Sequence, residues 1–179
     1  EVILDLSLSN DMVDLVAGGY DLALRLSNQP KPSLITRPLT EVEFYAVASP
    51  DYLQKYGVPK SPDELSTHQT VTPSYVKMDS FDIVHKSTGE KYTIQPISHI
   101  YSNDTLMSAE LIKSGAGVGY MPRWVIEDAL CTKKLVRLFS DYQMLSVGLY
   151  AAYVDRAFLS AKVRAFIDFW VDKCSDCDV

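Results

Sequence analysis

Three small polar residues, Ser102, Asn103 and Asp104, stand immediately before a run of apolar residues with helical spacing. Side-chain oxygens of this kind accept hydrogen bonds from the first backbone N–H groups of a helix, so the pattern predicts a helix that starts here and ends at Gly115. A helix N-terminus carries about half a positive charge, which favours carboxylates and other anions. The loop is therefore either an anion-binding site or a helix cap with no further role.

The segments on either side of this loop predict where it lies. Ile97–Tyr101 has the composition of a short strand, and Gly117–Gly119 predicts an extended return after the helix, with Pro122 opening the next helix. In an open α/β sheet, a loop that follows a strand lies at the edge where small ligands bind. The spacing Gly115-x-Gly117-x-Gly119 superficially resembles a nucleotide loop, but it follows a helix, whereas the nucleotide fingerprint must follow a strand.

No pattern in the sequence predicts a catalytic residue, a metal site or a cofactor. His68, His85 and His99 belong to no recognisable nucleophile, metal or acid–base motif. Cys174 and Cys177 have the C-x-x-C spacing of redox and zinc sites, but this pair supplies two of the four ligands that a structural zinc needs. The sequence thus offers no positive evidence for an enzyme.

Composition and charge limit the class of protein further. The 179 residues are 47% hydrophobic and 22% charged, as in an ordinary globular protein, and they suffice for one core or two small lobes. A net charge of −6 and a pI near 5.0 argue against binding nucleic acid by phosphate neutralisation. No apolar run reaches the roughly 18 residues that a membrane span needs. An odd number of cysteines and a first segment that reads as a strand, not a signal peptide, predict a cytoplasmic location.

Predicted strands and helices alternate along the chain. The predicted strands are Val2–Leu6, Leu22–Leu26, Leu34–Leu39, Val42–Ala48, Phe81–Val84, Tyr92–Ile94, Ile97–Tyr101, Leu135–Leu138 and Ser146–Val154. The predicted helices are Asp11–Gly18, Pro50–Tyr56, a single turn at Pro62–Leu65, the helix after Asp104, Arg123–Leu130 and Ala157–Lys173. Two long apolar strands bracket a middle block, which predicts two lobes, the first discontinuous in sequence, with a ligand cleft between them.

Several segments resemble the effector-binding domain of the LysR-type transcriptional regulators. They occur in the family's order and spacing through nearly all of the chain: VDLVAGGYDLALR at residues 13–25, ASPDYLQKYG at 48–57, PDEL at 62–65 with His68, SND at 102–104, GAGVGYMP at 115–122 and LSAKVRAFIDF at 159–169. The resemblance implies an α/β fold of the type 2 periplasmic-binding-protein kind with mixed sheets. It places lobe 1 at residues 1–46 plus 150–179 and lobe 2 at residues 47–149.

The same resemblance implies a bacterial, cytoplasmic sensor of a small-molecule effector, in this family often a carboxylate or an aromatic metabolite. By position, the effector would contact Ser9 and Asn10 in lobe 1, Ser102, Asn103 and Asp104 in lobe 2, and Ser49 and Tyr150 near the crossing strands. The Asp104 carboxylate opposes an anionic effector, so this residue is expected either to cap the helix or to hold a hydroxyl or amine.

The chain departs from the family pattern at its start. The winged helix-turn-helix that reads DNA would precede Glu1, as would the first strand and helix of lobe 1, so the sequence is expected to be truncated. Homo-oligomerisation is a property expected of the full-length regulator. Two alternatives stay open: a periplasmic solute-binding protein of the same fold, which requires an upstream secretion signal, and an enzyme on the same scaffold, which would turn over its ligand.

Overall fold

The computed structural model describes residues 3–9, 13–27, 34–74, 80–144, 146–154 and 160–175, with the side chains of 174 and 175 left aside. In chain order the strands are β1 Ala23–Ser27, β2 Ile35–Val42, β3 Phe44–Ala48, β4 Gln69–Pro73, β5 Phe81–His85, β6 Lys91–Ile94, β7 Ile97–Ser102, β8 Val118–Pro122, β9 Val136–Leu138, β10 Tyr142–Met144 and β11 Val147–Tyr153. The helices are α1 Pro50–Tyr56, α2 Thr105–Lys113, α3 Arg123–Cys131 and α4 Ala161–Ser175, and Pro62–Thr67 forms a 3-10 helix.

The chain forms two compact units. Unit 1 comprises residues 1–42 and 146–179, and unit 2 comprises residues 43–145. The boundaries that the sequence suggested, after residues 46 and 149, would cut through β3 and β11. In the structure, β3 pairs with β8 and β9 of unit 2, and β11 pairs with β1 and β2 of unit 1. Each of the two strands therefore lies entirely within one unit.

Unit 1 contains a three-stranded sheet in the order β1-β11-β2, in which both pairings are antiparallel. Helix α4 packs on this sheet through Val163 and Ile167, which meet the fully buried Ala151 of β11. An exposed ion pair between Arg37 of β2 and Asp168 of α4, 2.8 Å long, links the same two layers. Apolar side chains spaced four residues apart in α4 thus form its buried face.

Unit 2 is built on a five-stranded mixed sheet in the order β7-β4-β8-β3-β9. Strand β4 runs parallel to β7 and β8, and β3 runs antiparallel to β8 and β9. A second, antiparallel sheet has the order β10-β5-β6. Both faces of the five-stranded sheet are covered: one core contains Ala46, Leu65, Ile83 and Tyr120, and the other contains Val47, Val71, Ala109, Ile112 and Ile126.

Two predicted elements in the first part of the chain are wrong. Residues 3–6 form no strand, because no described strand pairs with them, and Ile3 is 92% exposed. Residues 15–19 form a hydrogen-bonded turn in place of the predicted helix, and the carboxylate of Asp14 accepts the N–H groups of Val16 and Ala17. Asp11 and Met12, also in that predicted helix, lie outside the described residues.

The later elements agree with the sequence except at two strands, β4 and β10, which were not predicted individually. The predicted α1, α2 and α3 and the strand pair β5 and β6 are confirmed to within two residues. Gly115 has a φ of 86° directly after α2, the left-handed conformation predicted for the end of this helix. Strand β10 was not predicted: its three residues carry no alternation long enough to detect, and pairing with β5 defines it.

Candidate functional site

The Ser102–Asp104 loop lies at one edge of the five-stranded sheet in unit 2. It connects the end of β7 to the start of α2. Because β4 is parallel to both β7 and β8, the carboxyl ends of these three strands meet at this edge. The backbone N–H of Ser74, which follows β4, donates to the carbonyl oxygen of Ser102 over 2.9 Å. This edge of the sheet is therefore the candidate site.

Asp104 is the N-cap of α2. Its carboxylate oxygen Oδ1 accepts the backbone N–H of Met107 at 2.6 Å, and its carbonyl oxygen accepts both the N–H and the hydroxyl of Ser108, at 3.0 and 2.9 Å. Its backbone is extended, with a φ of −122°, as the residue before a helix requires. The predicted helix cap is thus confirmed, and of the three polar residues it is Asp104 that fills the role.

Ser102 fixes the shape of the loop. Its hydroxyl accepts the backbone N–H of Asp104 at 3.1 Å and donates to the carbonyl oxygen of the same residue at 3.0 Å. Asn103, between them, is exposed. The loop therefore presents Asn103 and the Asp104 carboxylate from a backbone that Ser102 and the N-cap hold in place.

Exposed apolar side chains flank the polar loop. Tyr101, which precedes it, is 63% exposed, and Leu106 and Met107, in the first turn of α2, are 67% and 54% exposed. Exposed apolar groups that cluster beside polar ones commonly mark binding surfaces. The arrangement suits a ligand that combines an apolar or aromatic body with hydrogen-bonding groups.

Buried hydroxyl groups connect the strands behind the loop. Thr70 of β4 donates to the carbonyl oxygen of Ile97 at 3.0 Å and lies 2.9 Å from the hydroxyl of Ser98, which also hydrogen-bonds Thr72. Thr70 and Thr72 are 0% and 4% exposed. These side chains bond to one another and to backbone groups, so they hold β7 beside β4 and thereby position the loop that follows β7.

The other predicted ligand residues lie elsewhere. Ser49 follows β3, which is antiparallel to β8, so it lies at the opposite edge of the sheet from the loop. Its side chain is buried at 2% exposure and its oxygen accepts the N–H of Tyr52 at 3.3 Å as the N-cap of α1, so the structure gives Ser49 a structural role. In unit 1, Ser9 is exposed and Tyr150 is half-buried in β11. Asn10 lies outside the described residues.

Sequence reasoning missed a polar cluster around the start of β3. The Tyr45 hydroxyl donates to the Glu43 carboxylate at 2.7 Å, and the guanidinium carbon of Arg137 lies 3.6 Å from the centre of the Tyr45 ring. Burial, followed by the hydrogen bond to Glu43, raises the pKa of Tyr45. The backbone N–H of Arg123 donates to the Glu43 carbonyl oxygen at 2.9 Å. The Arg123 guanidinium donates to the Glu127 carboxylate, and this hydrogen bond raises the pKa of Arg123. Arg123 and Arg137 are distant in sequence from Glu43 and Tyr45, and no motif marks the cluster.

The described residues lack two other kinds of feature. No cluster of three or more histidine, cysteine or acidic side chains there could hold a metal ion. No described helix is both long and apolar enough to cross a membrane.

Comparisons with known proteins agree with this architecture. The model of the LysR substrate binding domain matches residues 1–175. The chain is 28% identical over 170 residues to the HTH-type transcriptional regulator YcaN of Escherichia coli K12, covering 94% of this chain and 55% of that protein. It is 25% identical over 167 residues to the probable HTH-type transcriptional regulator LtrA of Klebsiella pneumoniae, covering 92% and 54%. The chain thus spans about half the length of the curated relatives that it matches.

Solved structures of LysR-type regulators also match this chain. The full-length Vibrio cholerae virulence activator AphB matches with a TM-score of 0.77 and 27% identity, over 94% of this chain and 57% of that one. The regulatory domain of CrgA from Neisseria meningitidis matches with a TM-score of 0.73 and 25% identity, over 89% and 78%. These relatives are transcriptional regulators and not periplasmic binding proteins, so the solute-binding alternative gains no support. The chain belongs to the LysR substrate-binding domain family.

Proposed function

We propose that this chain senses a small-molecule effector within a longer LysR-type regulator, and that effector binding modulates transcription through a DNA-binding segment outside these residues. The family match over residues 1–175 carries the proposal. The effector would act by shifting an equilibrium between conformations that the DNA-binding segment reads. In this role the protein is not an enzyme, works in the cytoplasm and forms a homo-oligomer at full length.

We further propose that the effector contacts the Ser102–Asp104 loop. The loop lies at the carboxyl ends of β7, β4 and β8, and it presents polar groups between exposed apolar side chains. Contacts from Ser9, Asn10 and Tyr150 of unit 1 remain predictions.

The geometry of the loop favours one of the two effector classes suggested by the family. The Asp104 carboxylate already occupies the N-terminus of α2 and would repel a carboxylate placed there. Tyr101 and Leu106, each more than 60% exposed, offer apolar surface beside it. We therefore propose an effector with an aromatic or otherwise apolar body and a hydroxyl or amine directed at Asp104.

Isothermal titration calorimetry with benzyl alcohol, benzylamine and benzoate tests this loop and its selectivity. We expect the alcohol or the amine to bind more tightly than benzoate. Asn103→Ala should weaken that binding about tenfold, which corresponds to the loss of roughly one hydrogen bond between uncharged groups. Ser102→Ala should also weaken binding without unfolding the domain. Ser140→Ala, an exposed serine in the turn between β9 and β10, is the matched control.

Two results would contradict the proposal. Unchanged affinity in both loop variants would remove the effector from this loop while leaving the regulator assignment intact. Tightest binding by benzoate would reverse the assignment of effector class. The regulator assignment itself requires the full-length protein: a promoter reporter that responds to no effector, and a full-length protein that binds no DNA, would overturn it.

A further inference from the structure

The pairing between β4 and β7 contains a β-bulge shortly before the loop of the candidate site. Thr70 of β4 lies opposite Ser98 of β7. The next residue of β4, Val71, lies opposite Ile100 and not opposite His99. Strand β7 therefore has one extra residue at this point. A bulge bends its strand and re-aims the residues that follow it, and bulges are over-represented beside functional sites.

The residue types of β7 require this bulge. Val71 is buried, and Ile100 packs against the same core, whereas His99 is exposed. Without the bulge, His99 would lie opposite Val71 and would share its face of the sheet, because successive side chains of a strand alternate between the two faces. Ile100 would then turn to the other face. The bulge thus keeps the imidazole out of this core and Ile100 against it.

The bulge also sets where the loop begins. Ser102 lies opposite Pro73, the last residue of β4, and the Ser102 carbonyl oxygen accepts the backbone N–H of Ser74. In the register without a bulge, Tyr101 would lie opposite Pro73. The segment between the end of the pairing and the N-cap Asp104 would then be one residue longer. The position of the polar loop therefore depends on the bulge.

Three polar side chains donate to backbone carbonyl groups at the bulge. The Thr70 hydroxyl donates to the carbonyl oxygen of Ile97, and the Ser98 hydroxyl donates to the carbonyl oxygen of Thr70, each at 3.0 Å. The side-chain amide nitrogen of Gln69 donates to the same Thr70 carbonyl oxygen at 3.1 Å, and its amide oxygen lies 2.9 Å from Nδ1 of His99. Carbonyl oxygens on both strands thus have side-chain partners where the regular pairing is interrupted.

We infer that Thr70 and Ser98 are positioning residues for the proposed effector site, because their hydroxyl groups fix the bulge that aims the Ser102–Asp104 loop. Only the contact between effector and loop rests on the proposed function. Thr70 is fully buried and Ser98 is half-buried, so water replaces a lost hydroxyl poorly at either residue. Both residues act through the backbone of β7 and not by touching the effector.

Amide hydrogen exchange of Ser74 in the 179-residue chain tests whether the hydroxyl groups hold the loop. The exchange rate of Ser74 is divided by that of Val47, a buried residue of β3 in the same sheet. We expect this ratio to rise about tenfold in Thr70→Val and in Ser98→Ala, which corresponds to the loss of roughly one hydrogen bond. A global loss of stability would accelerate both amides and would not produce this change.

Two further variants are matched controls. Thr70→Ser retains the hydroxyl and should keep the wild-type ratio. Thr72→Val removes a buried hydroxyl that contacts the hydroxyls of Thr70 and Ser98, not a backbone carbonyl, so the ratio should stay within about twofold of wild type. Ser98→Ala removes a single oxygen atom and decides the question if Thr70→Val does not fold.

Calorimetry with benzyl alcohol and benzylamine tests the connection to the effector. Binding of whichever probe the wild type binds should weaken about tenfold in Thr70→Val and Ser98→Ala, and it should change less than about twofold in Thr72→Val.

Three results would overturn the inference in different ways. An unchanged exchange ratio in Thr70→Val and Ser98→Ala would show that the hydroxyl groups do not hold the loop. A raised ratio with unchanged probe affinity would leave both residues a structural role alone. A raised ratio in a protein whose wild type binds neither probe would refute the proposed contact between effector and loop, while the bulge would still be held by its hydroxyl groups.

Discussion

Replacing Tyr52 with phenylalanine would remove one buried oxygen atom from unit 2. Tyr52 lies in α1 and is 3% exposed. Its hydroxyl oxygen accepts the backbone N–H of Gln69 at 3.1 Å and lies 3.1 Å from Nδ1 of His68. In the tautomer with the imidazole proton on Nε2, Nδ1 accepts the hydroxyl proton. One oxygen thus joins α1 to the residues that begin β4.

The expected loss of stability in Tyr52→Phe follows from the two groups that lose their partner, the His68 imidazole and the Gln69 backbone N–H. His68 is 8% exposed and Gln69 is half-buried, so water has little access to either. A buried polar group without a partner costs about 1–3 kcal/mol, and the lower part of that range applies where burial is incomplete. The ring of the variant fills the same space, so no cavity term is added. We expect the free energy of unfolding to fall by about 2–4 kcal/mol.

Urea unfolding followed by circular dichroism measures this change, with the slope m used to verify that the unfolding reaction itself is unaltered. Two matched variants serve as controls. Tyr56→Phe changes an exposed neighbour whose ring centre lies 4.8 Å from that of Tyr52, and it should alter the free energy by less than about 0.5 kcal/mol. Tyr120→Phe changes a buried tyrosine whose hydroxyl has no hydrogen-bond partner among the described residues, and it should cost less than about 1 kcal/mol.

Two results would refute the reasoning. The hydrogen bonds of Tyr52 contribute nothing to stability if Tyr52→Phe unfolds with the same free energy as Tyr56→Phe. A larger loss for Tyr120→Phe than for Tyr52→Phe would mean that the number of protein partners does not govern the cost of removing a buried hydroxyl here.

Three further predictions concern unit 2. Asp104→Ala should reduce the free energy of unfolding by about 1 kcal/mol in urea titrations, because α2 loses its N-cap, and an unchanged value would show that the cap has no energetic role. Gly117→Ala should destabilise by about 1–3 kcal/mol or more in the same assay, because the new methyl carbon would lie 2.5 Å from the Gln69 carbonyl oxygen. The hydrogen bond from Lys91 lowers the pKa of Asp82. The stabilisation of the folded state by this ionised carboxylate is therefore present above the ordinary aspartate pKa and is lost as the pH falls through the lowered value. Asp82→Asn should flatten the acid side of the stability–pH curve, and a curve identical to that of the wild type would contradict this.

Local chemistry made the helices of unit 2 predictable. Helix α1 begins with the N-cap Ser49 and with Pro50, and it ends at Gly57, which has a φ of 89°. Each end is thus marked by residue types that favour that position in a helix. Asp104 and Gly115 mark the ends of α2 in the same way. Such signals act within one turn of chain, and they therefore appear in the sequence itself.

Strand assignments failed where pairing decides the structure. The alternating apolar residues at 3–6 resemble a strand, yet no described strand pairs with them, and they have no regular structure. Strand β10 shows the converse, since three residues without a clear pattern become a strand beside β5. An isolated extended segment cannot pair its own backbone N–H and C=O groups. Whether it forms a strand therefore depends on a partner strand that the local sequence does not specify.

For the candidate site, too, some features could be predicted from the sequence and others depended on the tertiary structure. The sequence by itself determined the family, the polar loop at Ser102–Asp104 and the helix that follows it. The tertiary structure alone decided that Ser49 is buried at the opposite edge of the sheet from this loop and that Tyr45 and Arg137 stack together. The reason is physical: caps and turns depend on neighbours within a few residues, whereas burial and strand direction depend on contacts between residues far apart in the chain.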